Sequence, residues 1–160
     1  MQLISNTHIF TNEECDILLS LIDPNKKSTY SDAYRLLNIY MGDTIQPPTF
    51  FYEKLKKIGI VGSINFMINE YTENCYFSNH VDRYPQHPER VMTLIVNLSS
   101  PTEYGGGELY IDNKIVSKDK GSSYLFDSST EHELKKITNG VRYSLIIWLE
   151  SHNLVKETLI

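Results

Sequence analysis

Long apolar runs are missing from this sequence. The longest, Thr93 to Val96 and Leu145 to Leu149, have the length of strands, far short of the roughly 18 residues that a membrane span needs. No membrane span is therefore expected. Cysteine is scarce: Cys15 and Cys75 are the only two. Two thiols do not make a disulfide framework, so both are expected as ordinary reduced residues. The opening MQLISNTHIF lacks a basic stretch followed by an apolar one, so no signal peptide is expected and the predicted location is cytoplasmic. Excess positive charge is missing too. The formal net charge is −5, and the one basic cluster, Lys54, Lys56 and Lys57, fits the solvated face of a helix. A protein that grips nucleic acid by its phosphates usually carries a basic face. This balance disfavours nucleic acid and leaves a peptide, a protein or a small molecule as substrate.

The 160 residues are 41% hydrophobic and 22% charged, which suits one sizeable core in one domain. Thr11-Asn12-Glu13-Glu14 has the form of a capping box. Cys15, Leu18, Leu19 and Ile22 follow at helical spacing, and Pro24 stops the helix. Asn25 to Asp43 is polar and rich in tyrosine, and reads as a loop with one short strand near Arg35 to Tyr40. Pro47-Pro48 opens a second helix, about Thr49 to Ile58, expected to bury Phe50, Phe51, Leu55 and Ile58. From Gly62 onward the pattern changes to short apolar or alternating runs between turn residues: Ile64–Tyr71, Tyr76–Asp82, Val91–Leu98, Gly107–Ile111, Ser123–Phe126, Glu131–Ile137 and Arg142–Leu149. Strands at this spacing predict a sandwich or jelly-roll barrel. The expected class is mainly β (α+β), a double-stranded β-helix of jelly-roll or cupin type. The helical support would span about 1–60, the barrel core about 61–150, and a short tail would follow. Gly105-Gly106-Gly107 lacks the ending of a phosphate loop and leads into a strand, so it reads as a turn. The sequon at Asn97 lies in a predicted strand and reads as chance.

Side chains alternate between the faces of a strand, so His80 and Asp82 in Tyr76–Asp82 point the same way. A His-x-Asp pair alone arises by chance in roughly one chain in four of this composition, so it needs context. A second histidine from a distant strand would complete a facial triad, a ligand set that leaves open positions on a non-haem iron. His8 precedes the first helix, His152 lies in the tail and His87 sits in a Pro-flanked loop. His132 alone begins a late strand. Ten residues on, Arg142 and Ser144 share a strand face. A buried arginine needs an anionic partner, and guanidinium matches a carboxylate in bidentate fashion. A dicarboxylate could chelate iron at one end and meet Arg142 and Ser144 at the other. The plain alternative for Arg142 is a surface residue paired with Glu131 or Glu133.

His80-x-Asp82, then His132, then Arg142-x-Ser144 resembles the 2-oxoglutarate- and Fe(II)-dependent dioxygenase superfamily. Asn69-Glu70-Tyr71 through His80-Val81-Asp82, the turn Gly106-Gly107-Glu108-Leu109 and the ending Gly140-Val141-Arg142-Tyr143-Ser144-Leu145 with Trp148 resemble its prolyl 4-hydroxylase-like branch. The resemblance covers about residues 60 to 150. It implies iron on His80, Asp82 and His132. It also implies 2-oxoglutarate on Arg142, with Ser144 helping and Tyr71 donating its hydroxyl. For Tyr71 the alternative is a core aromatic. Many animal collagen-type members carry lysine at the Arg142 position, which argues against carrying over a collagen-like substrate.

The implied activity couples oxidative decarboxylation of 2-oxoglutarate to hydroxylation of a substrate C–H bond, on a peptidyl prolyl or other amino-acid residue. O₂ would be the second co-substrate and ascorbate a candidate reductant. The same iron chemistry on a free amino acid or nucleobase is the alternative, and a cupin-like binding protein without redox turnover is a further one. Asp82 to Arg90 and Asn25 to Asp43 are the loops expected to choose the substrate, because neither reads as core.

Overall fold

The structure, a computed structural model, describes residues 4–155, and for residues 4–6 the backbone only. In chain order the strands are β1 (Ile4–His8), β2 (Ser28–Ser31), β3 (Arg35–Met41), β4 (Asn65–Tyr71), β5 (Tyr76–His80), β6 (Met92–Asn97), β7 (Tyr104–Gly106), β8 (Leu109–Ile111), β9 (Lys114–Ile115), β10 (Ser122–Asp127), β11 (His132–Leu134), β12 (Ile137–Gly140) and β13 (Arg142–Leu149). Helices α1 (Asn12–Ser20) and α2 (Thr49–Lys57) precede β4. Eleven strands form one sheet in the path β1-β10-β6-β13-β4-β3-β5-β11-β8-β9, with β2 on β3. The sheet is antiparallel and curls around a cavity, giving the expected jelly-roll class.

The curl explains the continuous apolar runs of β6 and β13, whose two faces are both covered. Tyr143, Leu145 and Ile147 face an outer core shared with the helices, through Cys15, Leu18, Phe51 and Leu55. Arg142, Ser144, Ile146 and Trp148 face the inner cavity. The capping box at Thr11 is present, with the Thr11 N–H donating to Glu14 Oε1 at 2.8 Å and the Glu14 N–H to Thr11 Oγ1 at 3.1 Å. Phe51 and Leu55 of α2 are fully buried, whereas Phe50 and Ile58 are only partly so. Both cysteines are free and buried.

Several expectations change. The barrel gains strands before residue 61. The short strand expected near Arg35 to Tyr40 is β3, but the rest of Asn25–Asp43 is not simply loop: β2 and β3 form a hairpin, and β3 pairs with both β4 and β5. Leu37, Ile39 and Tyr40 are buried, so this segment contributes core as well as rim. β1, unmarked by any apolar period, pairs with β10. β5 stops at His80, so Asp82 lies just beyond the strand, where its N–H donates to the Ser128 carbonyl at 2.9 Å. Glu131–Ile137 is two strands, because β11 pairs with β5 and β8 while β12 leaves to pair with β7. The glycine run is therefore a strand followed by a turn. Gly106 has φ +68°, and a Cβ there would strike the Lys136 carbonyl, so the tight crossing of β7 and β12 requires glycine. Asn97 is buried within β6, which agrees with the sequon being chance. Among the described residues no helix is long and apolar enough to cross a membrane.

Candidate iron and 2-oxoglutarate site

His80 and His132 are cross-strand partners on β5 and β11. The carboxylate of Asp82 reaches both: Oδ1 lies 3.4 Å from His80 Nε2, and Oδ2 lies 3.4 Å from His132 Nε2. One ligand atom from each residue falls within 4.8 Å of the others, so one ion could be held by all three. His80 Nδ1 is 2.7 Å from the Ser78 carbonyl and His132 Nδ1 is 3.0 Å from the Thr130 carbonyl. A carbonyl only accepts, so both Nδ1 atoms must carry the proton. Both Nε2 atoms then face Asp82 and are the ring positions that a metal would take.

The rest of the cage positions these ligands. The Thr93 hydroxyl donates to Asp82 Oδ2 at 2.8 Å and lies 3.0 Å from the Ser128 hydroxyl. Phe77 stacks on the His80 ring, with centroids 3.7 Å apart and planes 16° apart. Burial pushes the Asp82 carboxyl up, but the two histidines outweigh it and hold the group well below the usual carboxylate range. Burial pushes the His132 imidazole down, and the Asp82 carboxylate reverses this and raises it. The site is thus built to keep a carboxylate ionised between two imidazoles.

The same cavity is lined by Tyr71, Arg142 and Ser144. Arg142 is buried and meets no carboxylate within 4.0 Å among the described residues, so the pairing with Glu131 or Glu133 is not made. One edge of its guanidinium is held, with Nη2 donating to Asn97 Oδ1 at 3.0 Å. Asn97 is itself pinned, since its Nδ2 donates to the Ser117 and Asp119 carbonyls at 3.0 and 3.3 Å. Tyr71 is the direct cross-strand partner of Arg142, and its ring lies 5.7 Å from the guanidinium carbon. Burial pushes the Tyr71 phenol up to about 12, against the opposing pull of Arg142, so it is a neutral donor. The Ser144 hydroxyl is buried without a partner.

A family model described as the 2OG-Fe(II) oxygenase superfamily matches residues 66–150. The chain belongs to this superfamily. The residues of the site fit both ligands that the superfamily's name implies, Fe(II) and 2-oxoglutarate. Two imidazoles and one carboxylate are a donor set for Fe(II), and an uncommitted guanidinium edge beside an orphaned hydroxyl suits a carboxylate. A PKHD-type hydroxylase of Pseudomonas putida is 36% identical over 102 residues, 57% of this chain and 44% of the relative. The chain spans less than half the length of the curated relatives it matches. The fold is similar to the crystal structure of a Pseudomonas putida prolyl-4-hydroxylase, with TM-score 0.76, 16% identity and coverage of 92% of this chain and 91% of that one. It is also similar to a Trichoplax adhaerens prolyl hydroxylase in complex with a hypoxia inducible factor peptide fragment, with TM-score 0.70, 18% identity and coverage of 94% and 83%.

Of the expected site residues, His80, Asp82, His132, Tyr71, Arg142 and Ser144 all meet in one cavity. His8 and His152 are exposed, and His87 lies on the rim, paired with Glu89 at 3.0 Å. Sequence reasoning missed Thr93 and Asn97. Their signal was available: both are polar residues on alternating positions of a strand that is otherwise apolar.

Proposed function

We propose that this oxygenase hydroxylates a C–H bond of a peptidyl prolyl or other amino-acid residue, with 2-oxoglutarate and O₂ as co-substrates and ascorbate as reductant. The observation that carries the reading is the convergence of His80, Asp82 and His132 with an uncommitted Arg142 edge in one buried cavity. Residues 1–160 act in this reading as one dioxygenase domain.

His80, Asp82 and His132 would hold Fe(II) through two imidazoles and one carboxylate, a ligand set that leaves positions open for co-substrates. Bound there, iron supplies O₂ activation coupled to decarboxylation of 2-oxoglutarate. Arg142 would pair with the distal carboxylate of 2-oxoglutarate through the edge that Asn97 leaves free. The Ser144 hydroxyl and the neutral Tyr71 hydroxyl would donate to the same ligand. Ile95, Leu109, Leu134 and Ile146 line the cavity and exclude water from it. The choice of an amino-acid residue as substrate is supported by the relatives, PKHD-type hydroxylases, and by the peptide in the Trichoplax complex.

The test is anaerobic visible absorption of the Fe(II) protein before and after adding 2-oxoglutarate. A charge-transfer band that needs 2-oxoglutarate, is lost in His80→Ala and weakens in Arg142→Met is the expected result. Iron-loaded protein without a band would sink the reading in favour of a binding protein on a similar barrel.

A further inference from the structure

Outside the inner cavity lies a cleft of about 310 Å³, lined by His80 and Asp82 together with Tyr84, Arg90 and Trp148. Arg90 lies over Trp148, its guanidinium carbon 3.5 Å from the indole centroid, with the Tyr84 ring at 5.8 Å. An arginine held by an aromatic face keeps its in-plane N–H groups free for a planar anion. Nη1 makes one long contact, 3.4 Å, to the Asp82 carbonyl. Arg90 Nε and Trp148 Nε1 are both buried without a partner. Leaving a buried donor unpaired costs about 1–3 kcal/mol, so two neighbouring orphans in one cleft point to an acceptor that arrives with a ligand.

Charge points the same way. Arg35 pairs with Asp32 and Arg83 with Asp127, but Arg90 has no carboxylate within 4.0 Å among the described residues. In a chain of net charge −5, Asp82 is the one carboxylate lining this cleft. With Fe(II) and 2-oxoglutarate bound, the charges of the metal and of Arg142 are balanced by Asp82 and the two carboxylates of 2-oxoglutarate. Arg90 is then the cation left over, beside the iron ligands.

We propose that Arg90, seated on Trp148, is a specificity-determining residue that pairs with a carboxylate on the substrate close to the hydroxylated carbon. The inference rests on the hydroxylase reading above and names its substrate class: an anionic one. The carboxylate has two sources, an acidic side chain within a peptide or the free α-carboxylate of a chain end or amino acid.

Trp148 is the only tryptophan of the chain, so its fluorescence reports from beneath Arg90. The probes are an end-blocked tripeptide with a central aspartate, its asparagine counterpart, and alanine tripeptides with a free or amidated C-terminus. Each is titrated into anaerobic protein holding Fe(II) and 2-oxoglutarate, so turnover is not needed. One carboxylate probe is expected to change the Trp148 emission and to bind roughly tenfold tighter than its neutral counterpart. A preference for aspartate identifies an acidic side chain, and a preference for the free C-terminus identifies a chain end. Either preference should vanish in Arg90→Met and in Arg90→Gln, which keeps a polar head without the charge, and survive in part in Arg90→Lys. Equal binding of charged and neutral probes, binding of neither carboxylate probe, or a preference that persists without the Arg90 charge overturns the proposal. Failure of the hydroxylase reading is seen separately, as a missing absorption band in the same sample.

Discussion

His80 and His132 face one another across β5 and β11, and each ring is tied through Nδ1 to the carbonyl two residues before it. Neither imidazole is free to turn, so both Nε2 atoms converge on the Asp82 carboxylate before any ion arrives. Such preorganisation lowers the cost of binding a metal. It also makes the residues behind the ligands matter.

Thr93→Val removes the hydroxyl that donates to Asp82 Oδ2 while keeping the volume of a buried side chain. Loss of such a supporting contact costs roughly 10–100-fold in metal affinity. Fe(II) titration of the variant should show a drop in that range, with the three ligands intact.

Asn97→Leu frees the guanidinium edge that Asn97 now holds. A hydrogen bond to a charged group is worth about 1.5–3 kcal/mol. The 2-oxoglutarate concentration that half-saturates the absorption band should therefore rise by roughly tenfold or more, while iron content stays the same.

On the outer face of the sheet, Glu70 accepts hydrogen bonds from the Tyr40 hydroxyl at 3.1 Å and the Tyr143 hydroxyl at 2.8 Å. Burial, and then the Glu70 charge, pushes the Tyr40 phenol up to about 12, and the same two causes raise Tyr143. Unfolded tyrosine titrates near ~10. Above that pH the folded state keeps protons that the unfolded state has lost, so stability falls as pH rises. Denaturant unfolding should show full stability below about pH 10 and a decline from there through about 12. The decline should be shallower in Tyr40→Phe.

Gly140 has φ +73°, and a Cβ there would collide with the Glu103 carbonyl. Gly140→Ala forces a residue with a side chain into the left-handed region against backbone. It should destabilise by more than ~1 kcal/mol, read as a lowered melting temperature. Because Gly140 ends β12 two residues before Arg142, the same variant should also weaken 2-oxoglutarate binding at Arg142.

Iron should raise the melting temperature, and a chelator should reverse the rise, because an ion that binds only the folded state stabilises it by mass action. Asp82→Ala should abolish the metal-dependent shift in a thermal melt.

Much of the chemistry was legible before any coordinates. His80-x-Asp82, His132 and Arg142-x-Ser144 stood out because strand alternation assigns faces, and faces decide which polar side chains share a cavity. β13 was legible from end to end, and α1 announced itself through its capping box. Other elements were not. β1 is polar and short, and its hydrogen bonds come from β10, far away in sequence. Tyrosine and charge along 25–43 masked β2, and hid that the strand expected near Arg35 to Tyr40 is core, because the burial of β3 depends on β2 along one edge and on β4 and then β5 along the other.

The sequence by itself determined which residues can do the chemistry and that they lie on short strands, since residue type and two-residue periodicity are local properties. Only the tertiary structure decided that β5 ends at His80, that Asp82 is held by Thr93 and Ser128 from outside the strand, and that Asn97 commits one edge of Arg142 and leaves the other. Those contacts join residues remote in the chain, and the curl of the sheet creates them. The same holds for Arg90, an unremarkable loop residue in sequence, which becomes the unpaired cation at the mouth only because β13 sets Trp148 beneath it.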